Sequence, residues 1–199
     1  MPLRLYSAAL IALLAVSGWK PHDLPTWAME VAPVVIVLLI LWLTHQRFPL
    51  TPLLYALIFL HACVLMLGGH YSYARVPLGF GIQEVFGLAR NPYDGIGHFM
   101  QGFVPAIAAR ELLLRHTGVQ RGAWLFVVIV LACLGISALY ELIEWGAALA
   151  LGQGADEFLG TQGDPWDTQK DMALAGFGAV VAQALLARWH DRQLAAVAA

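Results

Sequence analysis

One stretch of the sequence decides the fold class: residues 123–151 read AWLFVVIVLACLGISALYELIEWGAALAL. The stretch is apolar along almost all of its length, and about 17–25 such residues cross a bilayer as a helix. Five more apolar segments have the length that a span needs, namely residues 3–19, 27–44, 52–68, 96–114 and 171–189. The sequence therefore predicts an all-α, polytopic integral membrane helical bundle of about six transmembrane helices, in a single domain over residues 1–199.

The composition agrees with a location in a membrane. Of the 199 residues, 60% are hydrophobic and only 12% are charged, which is about half the charged share of a soluble domain. Such a chain has too little polar surface to coat a soluble globule of this size. The net charge is −2, and no basic patch indicates a nucleic-acid partner. Membrane lipids are the expected surroundings, and the sequence leaves an oligomer open.

The connections and the basic residues predict how the chain is threaded. Residues 82–88, in the long connection after the third segment, can form a short interfacial helix. Residues 5–16 also fit a signal peptide, but the five apolar segments that follow favour an uncleaved first helix. Six spans put both termini on one side, which carries seven Lys and Arg residues against four on the other. The positive-inside rule then places both termini in the cytoplasm.

Ionisable side chains interrupt the last three segments at one end of the predicted bundle. They are Asp94, His98, Glu141, Glu144, Asp167 and Asp171. Within each segment they lie three or four residues apart and therefore share a helix face. Antiparallel threading brings the start of the fourth segment, the end of the fifth and the start of the sixth to the same, non-cytoplasmic end. Because an ionisable group in the bilayer core costs roughly 3 kcal/mol, the convergence of six predicts a functional site.

The residue types in this set are those of a metal site. Carboxylates beside an imidazole are ligands for Mg²⁺, Mn²⁺ or Zn²⁺, so a divalent metal ion is the cofactor that the sequence indicates. The candidate metal ligands are His98, Glu141, Glu144 and Asp171. Asp94 and Asp167 are the candidate catalytic residues, because a carboxylate next to a metal site can act as a general base.

Several of these residues also have a purely structural interpretation. Asp167 follows Asp164-Pro165 at a typical helix start, and Asp94 can likewise cap the fourth segment. His98 can be a hydrogen-bonded helix histidine. Glu141 and Glu144 have no basic residue nearby in the sequence, so they must face the bundle interior or a water-filled cavity.

The opposite end of the fourth segment carries a second group of charges. Arg110, Glu111 and Arg115 are close together there. We interpret them as an exposed ion pair or as contacts to anionic lipid headgroups.

Three motifs carry a resemblance to a known family: NPYDGIGHF at 91–99, YELIEW at 140–145 and GTQGDPWDTQKDM at 160–172. Together they resemble the YjdF-like bacterial inner-membrane family, over most of the chain from the second helix to the sixth. The resemblance implies a multi-pass protein of the bacterial cytoplasmic (inner) membrane. The family carries no assigned reaction, so the resemblance implies none.

A more distant resemblance is to VanZ-like membrane proteins. These share an acid-x-x-x-His-Phe opening on one helix, an acid late in the next, and an Asp that opens a final Gly/Ala-rich helix. The positions that match are Asp94, His98, Glu141 or Glu144, and Asp171. The loop departs from the plan, because residues 163–166 read GDPW where that family has a basic residue.

Three functions stay open, and so does the question of whether the protein is an enzyme. The first is a metal-assisted hydrolase or transferase that acts on lipid or envelope substrates, and convergence of the polar residues at the membrane surface favours it. The second is a small ion-coupled transporter with Glu141 and Glu144 as a relay, although the sequence has no visible internal repeat. The third is a non-catalytic membrane accessory protein whose polar residues form a structural cluster.

Overall fold

The computed structural model describes residues 3–151 and 162–197, and those ranges contain helices and no strand. The helices are α1 (Leu3–Ser17), α2 (Leu24–Thr44), α3 (Pro52–Tyr71), α4 (Pro77–Phe86), α5 (Tyr93–His116), α6 (Ala123–Leu151) and α7 (Asp167–Val197). By length and composition α2, α3, α6 and α7 can each cross a membrane, and α1 is apolar but shorter. The predicted class, an all-α membrane protein, is confirmed, while the count of six spans stays a prediction.

Some helix boundaries differ from the predicted ones, and local capping explains where α2 begins and where α4 ends. Helix α2 begins at Leu24 rather than at residue 27, because the Asp23 carboxylate accepts a 2.8 Å hydrogen bond from the Thr26 amide. Helix α4 overlaps the segment predicted as an interfacial helix and begins slightly earlier in the chain, while its interfacial location stays a prediction. It ends at Gly87, whose φ of +63° suits a residue without a side chain. Helix α7 begins at Asp167 and runs past residue 189 to Val197.

The described chain forms two compact units. Unit 1 contains the residues up to Pro49 together with Ile58–Gly97, and unit 2 contains Leu50–Leu57 and the residues from His98 onward. Helices α3 and α5 contribute to both units. The interpretation of the whole chain as one domain stays a prediction.

Unit 1 is organised around the antiparallel pair of α1 and α2. The indole of Trp42 donates a 2.9 Å hydrogen bond to Ser7 Oγ, and the indole of Trp27 donates a 3.1 Å bond to Ser17 Oγ. The two bonds lie at opposite ends of α1, so they fix the register of the pair. Small polar acceptors in α1 thus hold the amphipathic Trp side chains of α2.

Unit 2 is organised around the close approach of α5 and α7, which run parallel. A Cβ atom on Gly102 would lie 1.7 Å from the Ala175 carbonyl oxygen, and one on Gly178 would lie 2.2 Å from the Phe99 carbonyl oxygen. Only glycine permits such backbone contact. Helix α6 runs antiparallel to both, with Cys133 Sγ 3.6 Å from the Gly102 carbonyl oxygen. The turn of α5 that begins at His98, the start of α7 and the end of α6 therefore meet at one end of unit 2.

Candidate functional site

Three of the six candidate residues meet around the imidazole ring of His98. His98 Nε2 lies 3.9 Å from Asp171 Oδ2, and His98 Nδ1 lies 3.7 Å from Glu141 Oε1. The three side chains are only 5–10% exposed. Both distances are longer than a hydrogen bond. Two carboxylates therefore flank opposite edges of one buried ring.

Backbone contacts hold this arrangement in place. Gly102 lies one turn after His98 on α5, and Ala175 lies one turn after Asp171 on α7. The backbones of Gly102 and Ala175 touch. This contact brings the His98 ring and the Asp171 carboxylate, each one turn before the contact, to the same level along the helices. The contact between Cys133 and Gly102 packs α6 against the same part of α5, and Glu141 lies two turns further along α6. The sequence forms these contacts because the crossing positions carry glycine and small residues.

Gln101 completes the surroundings of the ring. Its Oε1 lies 3.2 Å from His98 Nδ1, so both neighbours of Nδ1, this amide oxygen and the Glu141 carboxylate, are acceptors. Nδ1 therefore carries a hydrogen. Gln101 was not among the predicted site residues. Its spacing of three residues from His98 was the available signal. We refer to His98, Gln101, Glu141 and Asp171 as the His98 cluster.

The Glu141 carboxyl is the least satisfied group of the His98 cluster. Its Oε1 atom is buried and has no hydrogen-bond partner within the described parts of the chain. The side chain of Thr168 on α7 lies next to the same carboxyl. A buried polar atom without a partner is rare in native structures and points to a water or an ion at that position.

The other three candidates lie on adjoining turns of the same helices. Asp94 lies one turn before His98 on α5. Glu144 follows Glu141 by three residues and is 8% exposed, and Asp167, the first residue of α7, is 3% exposed. Their roles as metal ligand or general base stay predictions.

A second polar group lies at the other end of unit 2, and its predicted exposure is wrong. Arg110 is 5% exposed and Glu111 is fully buried. The Glu111 carboxylate accepts hydrogen bonds from the Thr51 amide at 3.0 Å, the Thr51 hydroxyl at 2.7 Å, Arg115 at 2.7 Å and His190 Nε2 at 3.0 Å. The reason for the error is that His190 comes from α7, a partner that local sequence around Glu111 does not reveal.

Arg110 closes the same network from the other side of the His190 ring. Its guanidinium donates to His190 Nδ1 at 3.1 Å and to Asp191 Oδ1 at 2.8 Å. Arg121 also donates to Asp191 Oδ1, at 2.8 Å. Because a guanidinium can only donate, His190 Nδ1 accepts and Nε2 carries the hydrogen given to Glu111. We call this set the Glu111 cluster. It consists of Thr51, Arg110, Glu111, Arg115, His190 and Asp191.

Comparison with known proteins agrees with the motifs. The family model described as "Predicted membrane protein (DUF2238)" matches residues 2–192. Inner membrane protein YjdF of Escherichia coli (strain K12) is 56% identical over 195 residues, which cover 97% of this chain and 93% of that protein. No solved structure matches.

These matches confirm the YjdF-like resemblance and support the predicted location in the bacterial inner membrane. The VanZ-like resemblance and the cytoplasmic placement of the termini stay predictions. Residues 160 and 161 of the third motif lie outside the described residues. The chain belongs to the family of membrane proteins described as DUF2238.

Proposed function

We propose that the His98 cluster binds a divalent metal ion, and that the protein is a metal-assisted hydrolase or transferase acting on lipid or envelope substrates. One observation carries the proposal: a buried imidazole has acceptors at Nδ1 and a carboxylate 3.9 Å from Nε2. That is the environment of a metal-binding histidine, whose second nitrogen donates to a carboxylate or carbonyl oxygen.

The Nε2 edge of the ring is the proposed metal position. Two ligand atoms on a tetrahedral zinc ion, each about 2.0–2.2 Å from it, lie roughly 3.4 Å apart. The 3.9 Å between His98 Nε2 and Asp171 Oδ2 is too long for a hydrogen bond, and a small movement of the side chains would bring both atoms to the ligand separation. A mixed nitrogen and carboxylate donor set suits Zn²⁺ or Mn²⁺.

The Nδ1 edge has a different proposed role. Glu141 and Gln101 lie there, so they orient the ring and fix its tautomer, while His98 and Asp171 hold the ion. This divides the predicted ligand set between two edges of one imidazole. Glu144 remains a candidate ligand on the following turn of α6.

The proposed chemistry follows from the ligands and their place at one end of the helices. A divalent ion held by His98 and Asp171 would supply a water that is nucleophilic near neutral pH. Asp94 on α5 and Asp167 on α7 are the proposed general bases. The helix ends that carry them are where headgroups and envelope precursors would approach, which favours an ester or phosphoryl group as the site of attack.

Metal content tests the proposal directly. The protein is purified in mild detergent without chelator, and bound metal is measured by elemental mass spectrometry in the wild type, His98→Ala and Asp171→Asn. His116→Ala, at the exposed end of the same helix, is the matched control. We expect one ion per chain in the wild type and the control, and its loss in both folded cluster variants. A wild type without metal, or metal retained in either variant, contradicts the proposal and favours the transport or accessory alternative.

A further inference from the structure

Ser137 places a buried polar atom at the middle of α6. The helix runs over Ala123–Leu151, so residue 137 is its midpoint. Ser137 is fully buried, and its hydroxyl has no hydrogen-bond partner among the residues that the structure describes. A serine hydroxyl in a helix commonly bonds a carbonyl of the preceding turn, so its isolation here requires an explanation.

The surrounding residues of α6 show where this hydroxyl points. Cys133, one turn before it, contacts the Gly102 carbonyl of α5. Glu141, one turn after it, faces His98 of α5. Residues four apart lie on one helix face, so Ser137 lies between them on the face toward α5. Ile136 and Leu139 are 45% and 59% exposed and form the outer side.

The geometry points to a buried water that bridges Ser137 Oγ and Glu141 Oε1. Side chains four apart on a helix have Cβ atoms about 5–6 Å apart, so these two side chains can reach a single bridging water through hydrogen bonds of about 2.8 Å. Both oxygens are buried, and neither bonds the other or any other described residue. Buried waters typically satisfy such otherwise unpartnered groups.

Water fits the two oxygens better than a dehydrated metal cation does. A water can accept from the Ser137 hydroxyl and donate to the Glu141 carboxylate, which leaves both groups satisfied. A hard cation stripped of water needs about six oxygen ligands. The position is on the Nδ1 side of His98, so the water does not depend on a metal at Nε2. It extends the polar interior from the His98 cluster to the midpoint of α6.

A double-mutant cycle on the full-length protein tests the bridge. The Tm is measured for Ser137→Ala, Glu141→Leu and the double variant. We expect Ser137→Ala to lower the Tm, and the double variant to lose less than the sum of the single losses, because both side chains hold the same water. If the hydroxyl has no partner at all, Ser137→Ala raises the Tm. A higher Tm for Ser137→Ala, or a double variant whose loss of Tm equals the sum of the single losses, overturns the inference.

Ser7→Ala is the matched control, because this buried serine accepts a defined hydrogen bond from Trp42 on another pair of helices. Its loss of Tm should add to that of Glu141→Leu. An experimental structure at a resolution that shows waters gives a second test that does not depend on folding of the variants. A density peak within hydrogen-bond distance of Ser137 Oγ and Glu141 Oε1 supports the water. No peak, or a peak with the ligand number of a cation, overturns it.

Discussion

The two buried polar clusters of unit 2 differ in how closely their side chains pair. In the Glu111 cluster the carboxylate receives four donors at 2.7–3.0 Å, and both nitrogens of His190 have defined partners. In the His98 cluster the carboxylates stand 3.7 and 3.9 Å from the ring, and Glu141 Oε1 has no described hydrogen-bond partner. Similar residue types thus occur in two arrangements. The short hydrogen bonds of the Glu111 cluster stabilise the fold, and the longer distances in the His98 cluster are those expected for the ligand site that we propose.

The Glu111 cluster also has a clear structural task. Thr51 precedes α3, and its amide and hydroxyl both bond Glu111 of α5, while Gln193 of α7 accepts a 2.8 Å hydrogen bond from the Leu53 amide. The first amides of a helix have no partner within the helix. Side chains of α5 and α7 satisfy them here, so the cluster fixes the start of α3 against those two helices.

The largest expected effect comes from Glu111→Leu. Removing one partner of a buried charged network leaves Arg115 and His190 without their acceptor and costs about 3–5 kcal/mol. Unfolding in detergent, followed by circular dichroism against denaturant, measures the loss. Glu84→Leu, at an exposed position on α4, is the control and should change stability little. A loss below about 1 kcal/mol for Glu111→Leu would mean that the network does not stabilise the fold.

Next in size is Gly102→Ala, which tests how α5 and α7 hold the His98 cluster. The new methyl group would overlap the Ala175 carbonyl, so the helices must separate at an expected cost of about 1–3 kcal/mol. Bound metal should decrease together with stability. Gly146→Ala on α6 is the control, since a Cβ there meets nothing within 4 Å. If Gly102→Ala and Gly146→Ala lost equal stability and equal amounts of bound metal, the close crossing of α5 and α7 would be contradicted.

Gln101→Leu should weaken metal binding with little effect on folding. The variant removes the acceptor 3.2 Å from His98 Nδ1, and loss of such an outer partner typically costs about 10–100-fold in metal affinity. Titration of chelator-treated protein with Zn²⁺ measures the affinity. ¹⁵N NMR of the metal-free imidazole reports the tautomer separately. An unchanged tautomer with unchanged affinity would show that Gln101 does not position the ring.

The smallest expected effect lies outside both clusters, at the cap of α2. The Thr26 amide hydrogen bond lowers the pKa of Asp23 below its ordinary value of 3.8. Asp23→Ala should cost about 1 kcal/mol near neutral pH. The cap's contribution is full above the unfolded-state pKa and disappears as the pH falls through the lowered folded-state pKa. Thermal unfolding of both proteins along a descending pH series measures it, and a pH-independent difference would exclude the charged cap.

The helix boundaries show how far local sequence determines this fold. Asp23, Pro25 and Gly87 are cap and turn residues, and they account for where α2 begins and α4 ends. The shared faces of Asp94 with His98 and of Glu141 with Glu144 also follow from spacing alone. The failure at Glu111 has the opposite cause. Its partner His190 is 79 residues away, and helix periodicity carries no information about which distant helix covers a charged residue.

The sequence by itself determined the helical membrane class, because a bilayer admits only elements that satisfy their own backbone and sets their apolar length. It also determined which helix ends carry ionisable residues. Only the tertiary structure decided that Glu141 and Asp171 take opposite edges of His98, that Gln101 joins them, and that Glu111 is buried in a closed network. The physical reason is that these facts depend on the rotation and depth of three helices, which Gly102 and Gly178 fix through backbone contact.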